Sequence, residues 1–220
     1  SKEVDSTELQ KRIAENEKAI KNKKKNVKSD GKMEKAKNVD YSPSGNSQKV
    51  SNKKLFCLGD SVMLSAYTNI QEVYQDATID AAVSRQIAQA PDVLRWYQSQ
   101  GNVHNTVVIS LGTNGVLDEY NVERVLEMIG SDKSIFWVNV YAPGVEWEAS
   151  NNEYLQELAM KHSNITIIDW NSYISQHTDL LEEDGIHPIE EGADAYAHLI
   201  QEKINEVMQK QKEIEEKADK

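Results

Sequence analysis

The sequence predicts an α/β protein in which a three-layer α/β/α domain, built on a central parallel sheet, follows a flexible or partly helical N-terminal arm. Two observations support this prediction. From residue 55 onward short apolar runs alternate with amphipathic stretches, whereas the first 52 residues contain few apolar side chains. The apolar runs are continuous rather than alternating, which is typical of strands that are covered on both faces.

The five predicted strands are short apolar runs. The first, LFCL, ends at Gly59, and a longer one, TVVISL, ends at Gly112. The strands are predicted over residues 55–58, 78–83, 106–111, 134–140 and 165–169. Each stretch between them is long enough for a crossover, so we expect parallel pairing with right-handed connections.

The stretches between the strands carry the apolar spacing of amphipathic helices. Helices are predicted over residues 62–74, 86–100, 122–129, 148–162 and 189 to about 217. The last of them continues past the core as a solvated extension of mixed Glu and Lys. In such folds ligands bind beyond the carboxyl ends of the strands, so the residues after each strand are the candidates for a functional site.

Composition limits the classes of protein that fit. The 220 residues are 39% hydrophobic and 28% charged, which is enough for one sizeable core. No apolar run approaches the roughly 18 residues of a membrane-spanning helix. The single cysteine, Cys57, excludes an intrachain disulfide and a zinc site made of cysteines, and the net charge of −11 argues against a nucleic-acid partner. We expect no metal and no cofactor.

Charge divides the chain into two segments. Residues 1–50 hold 13 Lys and Arg against 8 Asp and Glu, whereas residues 55–220 hold 10 against 28. We therefore predict a basic flexible linker or arm over residues 1–52 and a compact domain with a C-terminal helical extension over residues 53–220. A helix is possible over residues 7–21, but its apolar stripe is thin, so we expect little of the arm to be buried.

Three short motifs follow predicted strands. Gly59-Asp60-Ser61 places a serine at a helix start, where free N–H groups favour developing negative charge. The turn of residues 112–115 (GTNG) presents the amide of Asn114, and residues 184–188 (DGIHP) place Asp184 three residues before His187. Taken singly, each motif is better explained as a helix cap, an ordinary turn or a loop, because short motifs often match by chance.

Taken together, the three motifs supply the groups that acyl transfer through a serine ester requires. Ser61 is the candidate nucleophile, His187 the candidate base and Asp184 the carboxylate that would orient it. Asn114 is a candidate donor to the oxyanion. The chain contains each of these groups once in this order, which favours an enzyme over a chance match.

With these motifs the sequence resembles the SGNH, or GDSL-like, hydrolase superfamily over residues 55 to about 208. The resemblance implies an SGNH-type α/β/α domain, with Ser61, Asp184 and His187 as catalytic residues. It also implies an oxyanion hole made by the backbone N–H of Ser61, the side chain of Asn114 and the residue in the family's glycine block. This sequence departs from the family pattern at the glycine block, where its best match is Ser84. The N–H of Ser84 can serve as an oxyanion donor only if the turn does not require a positive φ.

More narrowly, the segments GDSVML, AAVSRQ, SLGTNG and DGIHPIEEG resemble the C-terminal domain of OatA-type peptidoglycan O-acetyltransferases. The resemblance implies an acetyl-serine intermediate and a peptidoglycan glycan strand as acceptor, acetylated at the muramoyl C6 hydroxyl. It also implies an extracytoplasmic domain, tethered to the membrane and supplied with acetyl groups by an N-terminal membrane acyltransferase domain that this chain does not contain. Arg85, Gln86 and Tyr141 are the candidate substrate contacts.

Two other functions remain open on the sequence. The same triad would serve a carbohydrate or small-ester acetylesterase, in which water replaces the sugar hydroxyl as acceptor. A glycan-binding domain without activity would keep the fold, although the complete set of catalytic residue types argues against it. Aromatic side chains near strand ends, Tyr141, Trp147 and Trp170, would suit a sugar acceptor, but packing in the core or against helices is the favoured interpretation.

Overall fold

The computed structural model describes residues 7–30, 51 and 53–220. Its centre is a five-stranded, fully parallel sheet in the order β2-β1-β3-β4-β5. The strands are β1 (Leu55–Gly59), β2 (Thr78–Ala81), β3 (Thr106–Ser110), β4 (Ser134–Val138) and β5 (Ile165–Ile168). The predicted fold class, a three-layer α/β/α domain, is confirmed.

The continuous apolar character of the strands follows from burial on both faces. In β1, Leu55 and Cys57 pack into one helical layer, and Phe56 and Leu58 pack into the other. All four side chains are fully buried. Because successive side chains of a strand point to opposite faces, a strand between two helical layers needs apolar residues at every position.

Eight α-helices lie in the described part of the chain. They are α1 (Thr7–Asp30), α2 (Ser61–Ser65), α3 (Tyr67–Val73), α4 (Ala90–Ser99), α5 (Glu119–Ile129), α6 (Glu148–Lys161), α7 (Trp170–Ser175) and α8 (Glu190–Ala218). Helices α2, α3, α7 and α8 cover one face of the sheet, and α4, α5 and α6 cover the other. The long helix predicted over residues 62–74 is in fact two, α2 and α3, and α7 was not predicted. Helix α8 continues to Ala218 with exposed side chains from residue 209 onward.

Helix α1 is longer and more buried than the sequence predicted. Leu9, Ile20 and Val27 are buried, although we expected little of the arm to be covered. The polar side chain of Asn16 completes the same face, since its Nδ2 donates to the carbonyl of Leu64 at 2.8 Å. The expectation was wrong because it counted only apolar residues and left out a polar residue that makes a buried hydrogen bond.

Helix α1 is also held by ionic and polar contacts to the domain. The guanidinium of Arg12 donates to the carbonyl of Pro188 and lies 3.5 Å from Glu190. Lys24 pairs with the buried carboxylate of Asp80 at 2.7 Å. The second half of the predicted arm, residues 31–50, lies outside the described residues, so the boundary at residue 52 stays a prediction.

The strand order fixes where a ligand site can form. The chain passes from β1 to β2, which pairs with one edge of β1, and then returns to form β3, which pairs with the other edge of β1. A crevice therefore opens beyond the carboxyl ends of β1 and β3, which is the usual binding position in open parallel sheets. The chain reaches this crevice at residues 59–61 after β1 and at residues 111–115 after β3.

Candidate active site

Ser61 is the first residue of α2 and lies directly beyond the end of β1. The preceding residue, Asp60, caps this helix, because its Oδ1 accepts a hydrogen bond from the N–H of Val62 at 3.0 Å. The Asp60 N–H donates to the carbonyl of Ser110, which ties the turn to the end of β3. A Cβ at Gly59 would lie 2.5 Å from the Cβ of Met63, so the tight turn requires glycine.

The structure brings Ser61, His187 and Asp184 into one chain of hydrogen bonds. Ser61 Oγ lies 2.8 Å from His187 Nε2, and His187 Nδ1 lies 2.5 Å from Asp184 Oδ2. Ser61 and His187 are 126 positions apart in the sequence. This is the arrangement in which an imidazole can take the proton of a serine hydroxyl while a carboxylate holds its tautomer.

The loop that carries Asp184 and His187 is rigidly held. Asp184 Oδ1 accepts from the backbone N–H groups of Ile186 and His187, at 2.9 and 3.0 Å. Gly185 has a φ of +70°, a conformation that side chains other than glycine rarely adopt. These contacts fix the carboxylate before any substrate binds, which is the preorganisation that a catalytic group needs.

Hydrogen bonding also keeps the Asp184 carboxyl ionised. Burial raises the pKa of Asp184, but the hydrogen bonds from the His187 ring and from the two backbone N–H groups outweigh it and lower the pKa. The carboxylate therefore stays charged and accepts a hydrogen bond from the Nδ1–H of His187. Nε2 is then left as the acceptor for the Ser61 hydroxyl, which is the tautomer that proton transfer requires.

Asp60 presents a different balance of forces. Complete burial raises its pKa to about 6, although the Val62 N–H, the nearby His187 and Thr113 act in the opposite direction. Its second oxygen, Oδ2, makes no well-formed hydrogen bond to the described residues, although the hydroxyl and the N–H of Thr113 lie near enough to lower the pKa of the carboxyl. The structure thus keeps a costly buried carboxylate one residue before Ser61.

The turn after β3 presents the Asn114 side chain and depends on Asn151 from α6. Asn151 is buried, and its Nδ2 donates to the carbonyls of Gly112 and Gly115 at 2.8 and 2.9 Å. Its Oδ1 accepts from the N–H of Leu117. One side chain therefore satisfies three backbone groups of the turn, and Trp147 adds a fourth bond from its indole N–H to the carbonyl of Thr113.

The turns that carry Ser84 and Asn114 lie against each other. Asn114 Nδ2 donates to the backbone carbonyl of Arg85 at 3.2 Å. Ser84 has a φ of +62°, and it is the one residue other than glycine with a positive φ in the described ranges. The backbone at this block therefore keeps the conformation that suits glycine, although the chain has a serine there.

Arg85 is engaged inside the protein, not offered to solvent. Its guanidinium lies 2.7 Å from Asp80 and also donates to the carbonyls of Asp80 and Gly59. Asp80 accepts further hydrogen bonds from Tyr97 and Lys24. Burial raises the pKa of Asp80, but the charges of Arg85 and Lys24 and these hydrogen bonds outweigh it and keep the pKa low. The predicted substrate contact at Arg85 is therefore not supported by its side-chain position, which is 10% exposed.

The other two predicted substrate contacts are partly accessible. Gln86 is exposed, and its amide lies beside Gly115 of the Asn114 turn. Tyr141 is half-buried and lines a small pocket with Thr113 and Trp170. Trp170 itself is buried in the core against Tyr196, which is the packing role that the sequence left open.

Sequence reasoning missed two residues that support the site, Asp80 and Asn151. Asp80 had a signal, since it is a lone acidic residue inside the apolar run of residues 78–83, and such a buried charge needs partners. Asn151 had none, because its partners are backbone groups 34 to 39 positions away. Cys57 is fully buried, which raises the pKa of its thiol, and the described residues contain no group of three His, Cys, Asp or Glu side chains that could hold a metal.

Comparison with known proteins gives relatives of one type. YrhL of Bacillus subtilis is 36% identical over 148 residues, which cover 67% of this chain and 23% of that protein. The peptidoglycan O-acetyltransferase OatA of Listeria monocytogenes is 31% identical over 149 residues, with the same two shares. The chain thus spans about a quarter of the length of the curated relatives it matches. No protein-family model matches it.

Solved structures agree with these relatives. The C-terminal catalytic domain of Streptococcus pneumoniae OatA superposes with a TM-score of 0.64 at 27% identity, covering 71% of this chain and 94% of that one. A lipolytic protein of the G-D-S-L family from Veillonella parvula shares the fold, with a TM-score of 0.55 at 14% identity over 68% of this chain and 96% of that one.

The chain shares the SGNH, or GDSL-like, fold of these structures, with the serine at the end of β1 and the Asp184-His187 pair before the last helix. Its homologues are the OatA-type peptidoglycan O-acetyltransferases, and it matches the C-terminal catalytic domain of one of them. Of the helices in the described residues, none is both long and apolar enough to cross a membrane.

Proposed function

We propose that the chain is the catalytic domain of a peptidoglycan O-acetyltransferase, with Ser61 as nucleophile, His187 as general base and Asp184 as the residue that orients it. The observation that carries the proposal is the hydrogen-bonded chain from Ser61 Oγ through His187 to Asp184 at the ends of β1 and β3. The similarity to OatA sequences and to the OatA catalytic domain supports the choice of acetyl transfer among the reactions that such a triad can perform.

In the first half-reaction Ser61 Oγ attacks the carbonyl carbon of an acetyl ester. His187 Nε2 takes the hydroxyl proton as the carbon–oxygen bond forms, and the imidazolium is stabilised by the charged Asp184 carboxylate. When the tetrahedral intermediate collapses, the donor's alcohol leaves with that proton. The product is acetyl-Ser61 with a neutral His187.

Negative charge on the tetrahedral oxygen needs donors around it. We assign this role to the Ser61 N–H, the Asn114 side chain and the Ser84 N–H. The condition set for Ser84 from the sequence, a turn without positive φ, is not met, but the fold accommodates serine at a φ of +62° and its N–H remains a donor. The contact between the Asn114 and Ser84 turns supports the assignment, since Asn114 Nδ2 bonds the Arg85 carbonyl one residue after Ser84. Donors held by a rigid backbone need no reorganisation as the charge develops, which makes them effective in catalysis.

In the second half-reaction a sugar hydroxyl attacks acetyl-Ser61, and His187 takes its proton. The acetyl group passes to the sugar oxygen, and the proton returns to Ser61 Oγ. Attack by water would release acetate in place of an acetylated glycan. A transferase must therefore bind its acceptor well enough to exclude water, and we propose Gln86 and Tyr141 as contacts to that acceptor.

The curated relatives are about four times longer than the part matched by this chain. We propose that the natural protein has an N-terminal membrane acyltransferase domain that delivers acetyl groups to an extracytoplasmic catalytic domain. The acceptor would then be the muramoyl C6 hydroxyl of the peptidoglycan glycan strand. The predicted linker of residues 1–52 would connect the two parts, with its helix α1 (Thr7–Asp30) packed on the catalytic domain.

The test is a product analysis with an activated acetyl ester and a peptidoglycan oligosaccharide. Transfer predicts acetylated oligosaccharide in excess of free acetate, and Ser61→Ala removes both products. Ser175→Ala, at an exposed serine on α7, is the matched control and keeps both. Acetate without acetylated sugar across several acceptors would instead establish an acetylesterase.

A further inference from the structure

A cleft of about 720 Å³ lies between α1 and the turn that follows β2. Its size is within the range of pockets that hold small ligands or short oligomers. We propose that this cleft binds carboxylate groups on the peptides of the acceptor polymer, and so selects peptide-bearing glycan. This inference rests on the proposed function for the identity of the polymer.

The cleft is lined by more basic than acidic side chains. Its charged lining residues are Glu17, Lys21, Lys24, Lys25, Asp80 and Arg85. Lys24 and Arg85 both pair with Asp80 at 2.7 Å, so these three largely compensate one another. Lys21 and Lys25 are exposed, and no carboxylate of the described residues lies within 4 Å of either ammonium group. Glu17 also lines the cleft, so its walls carry four basic and two acidic side chains and a net positive charge, with the ammonium groups of Lys21 and Lys25 exposed.

These cations contrast with the rest of the molecule. Residues 55–220 hold 10 basic side chains against 28 acidic ones, so most of the domain would repel an anionic ligand. A local positive cleft on such a surface directs an anion to one place. Ammonium groups on a helix bind carboxylates as flexible point charges, which suits a ligand with several carboxylates along a chain.

Apolar groups line the same cleft. The ring of Trp96 is half-buried beneath the ammonium of Lys24, whose nitrogen lies 5.2 Å from the ring centroid. Val83 is 50% exposed, and Ile20 is buried on the face of α1 that packs against the domain. A ligand that fits must combine carboxylates with apolar groups, as a short peptide does and a bare sugar chain does not.

The position of the cleft connects it to the candidate active site. Its wall includes residues 81–83 and Arg85, which flank Ser84 in the proposed oxyanion turn. Arg85 is in turn joined to Asn114 through its carbonyl and to the end of β1 through its guanidinium. A polymer held in the cleft by its peptide therefore places its sugar next to the turns that surround Ser61.

The test reverses the two free charges. The variant Lys21→Glu/Lys25→Glu is compared with wild type, with an activated acetyl ester as the donor. Two acceptors are used: a peptidoglycan fragment with free peptide carboxylates, and the same fragment with those carboxylates converted to amides. We expect KM for the carboxylate fragment to rise about tenfold, with KM for the amide fragment and hydrolysis of the ester in the absence of acceptor unchanged. Lys212→Glu/Lys217→Glu, on the exposed end of α8, is the matched control and changes none of these values.

A neutral pair, Lys21→Gln/Lys25→Gln, separates charge from helix packing and should give a smaller rise in KM. Unchanged KM for the carboxylate fragment overturns the inference, as does an equal rise for both fragments. Calorimetric titration of each fragment measures binding without turnover. If wild type transfers nothing but binds the carboxylate fragment more tightly, the proposed function fails and the cleft assignment stands.

Discussion

Asn114 is the proposed oxyanion donor whose side chain can be removed without touching the triad. Its amide approaches the Arg85 carbonyl and not Ser61, His187 or Asp184. Loss of one such donor typically costs 2.7–4 kcal/mol of transition-state stabilisation, or roughly 10²–10³ in kcat. We predict this loss in kcat for Asn114→Ala with KM nearly unchanged, whereas Ser61→Ala abolishes turnover.

The measurement is steady-state hydrolysis of an activated acetyl ester by variants with wild-type melting temperature. A loss for Asn114→Ala that lies wholly in KM would show that Asn114 binds the ground state. A loss below tenfold in kcat would remove it from the oxyanion hole.

Asp60 gives the residue-scale prediction on pH. Its raised pKa, about 6 against 3.8, means that the folded state binds a proton more tightly than the unfolded state. Its contribution to stability therefore falls as pH rises from about 4 to about 6, by about 3 kcal/mol in total. Asp60→Asn keeps a capping oxygen for the Val62 N–H and removes the charge.

We expect Asp60→Asn to be more stable than wild type by up to about 3 kcal/mol at pH 7.5, with the difference narrowing to about 1 kcal/mol at pH 4.5. Urea unfolding at the two pH values measures both differences. A variant that is less stable than wild type at pH 7.5 would show that His187 and Thr113 stabilise the carboxylate more than burial disfavours it.

At the scale of elements, α6 acts on the turn after β3 through Asn151. Replacing Asn151 by Ala leaves two carbonyls and one N–H of that turn without their partner, and each buried unsatisfied group costs about 1–3 kcal/mol. We predict a loss of at least about 3 kcal/mol in the free energy of unfolding, together with a lower kcat, because Asn114 loses its support.

The control for this prediction is Asn121→Ala, since Asn121 bonds only the nearby Asp118 at the start of α5. It should leave kcat unchanged. If Asn151→Ala lowers stability while kcat stays at the wild-type value, the turn keeps its shape without α6.

Much of this element-scale arrangement follows from the sequence. All five strands were predictable because a strand between two helical layers is apolar at every position, as the run from Leu55 to Leu58 shows. Helix α1 was underestimated because Asn16 and Arg12 hold it through polar bonds that no apolar pattern reveals. Helix α7 was not predicted because it is only six residues long.

The candidate site was predictable to a similar extent. Ser61, His187 and Asp184 were singled out from two short motifs, and the fold brings them within hydrogen-bond distance. The φ of +62° at Ser84 could not be read from its residue type, since serine gives no signal for that conformation. The engagement of Arg85 by Asp80 was also missed, because a basic residue beside a site has the same sequence signal whether it faces substrate or a buried carboxylate.

At the scale of the whole molecule, the fold joins N-terminal helix, sheet and active site into one connected structure. Lys24 of α1 and Arg85 share the carboxylate of Asp80, and Arg85 reaches both β1 and the Asn114 turn. The helix that precedes the domain is thus in a position to affect what binds beside Ser61. We therefore propose that α1, in the N-terminal arm, contributes to the selection of the acceptor together with the domain.

The central claim is that an acetyl group passes through Ser61 to a sugar. It is tested most directly by mixing the protein with an activated acetyl ester, removing the excess ester, locating the acetyl group by peptide mass mapping, and then adding a peptidoglycan oligosaccharide. We expect acetyl on the peptide that contains Ser61, its disappearance on addition of the acceptor, and an equal amount of acetylated sugar. Acetyl on another residue, or loss of acetyl from Ser61 to water alone while the acceptor stays unmodified, would contradict it.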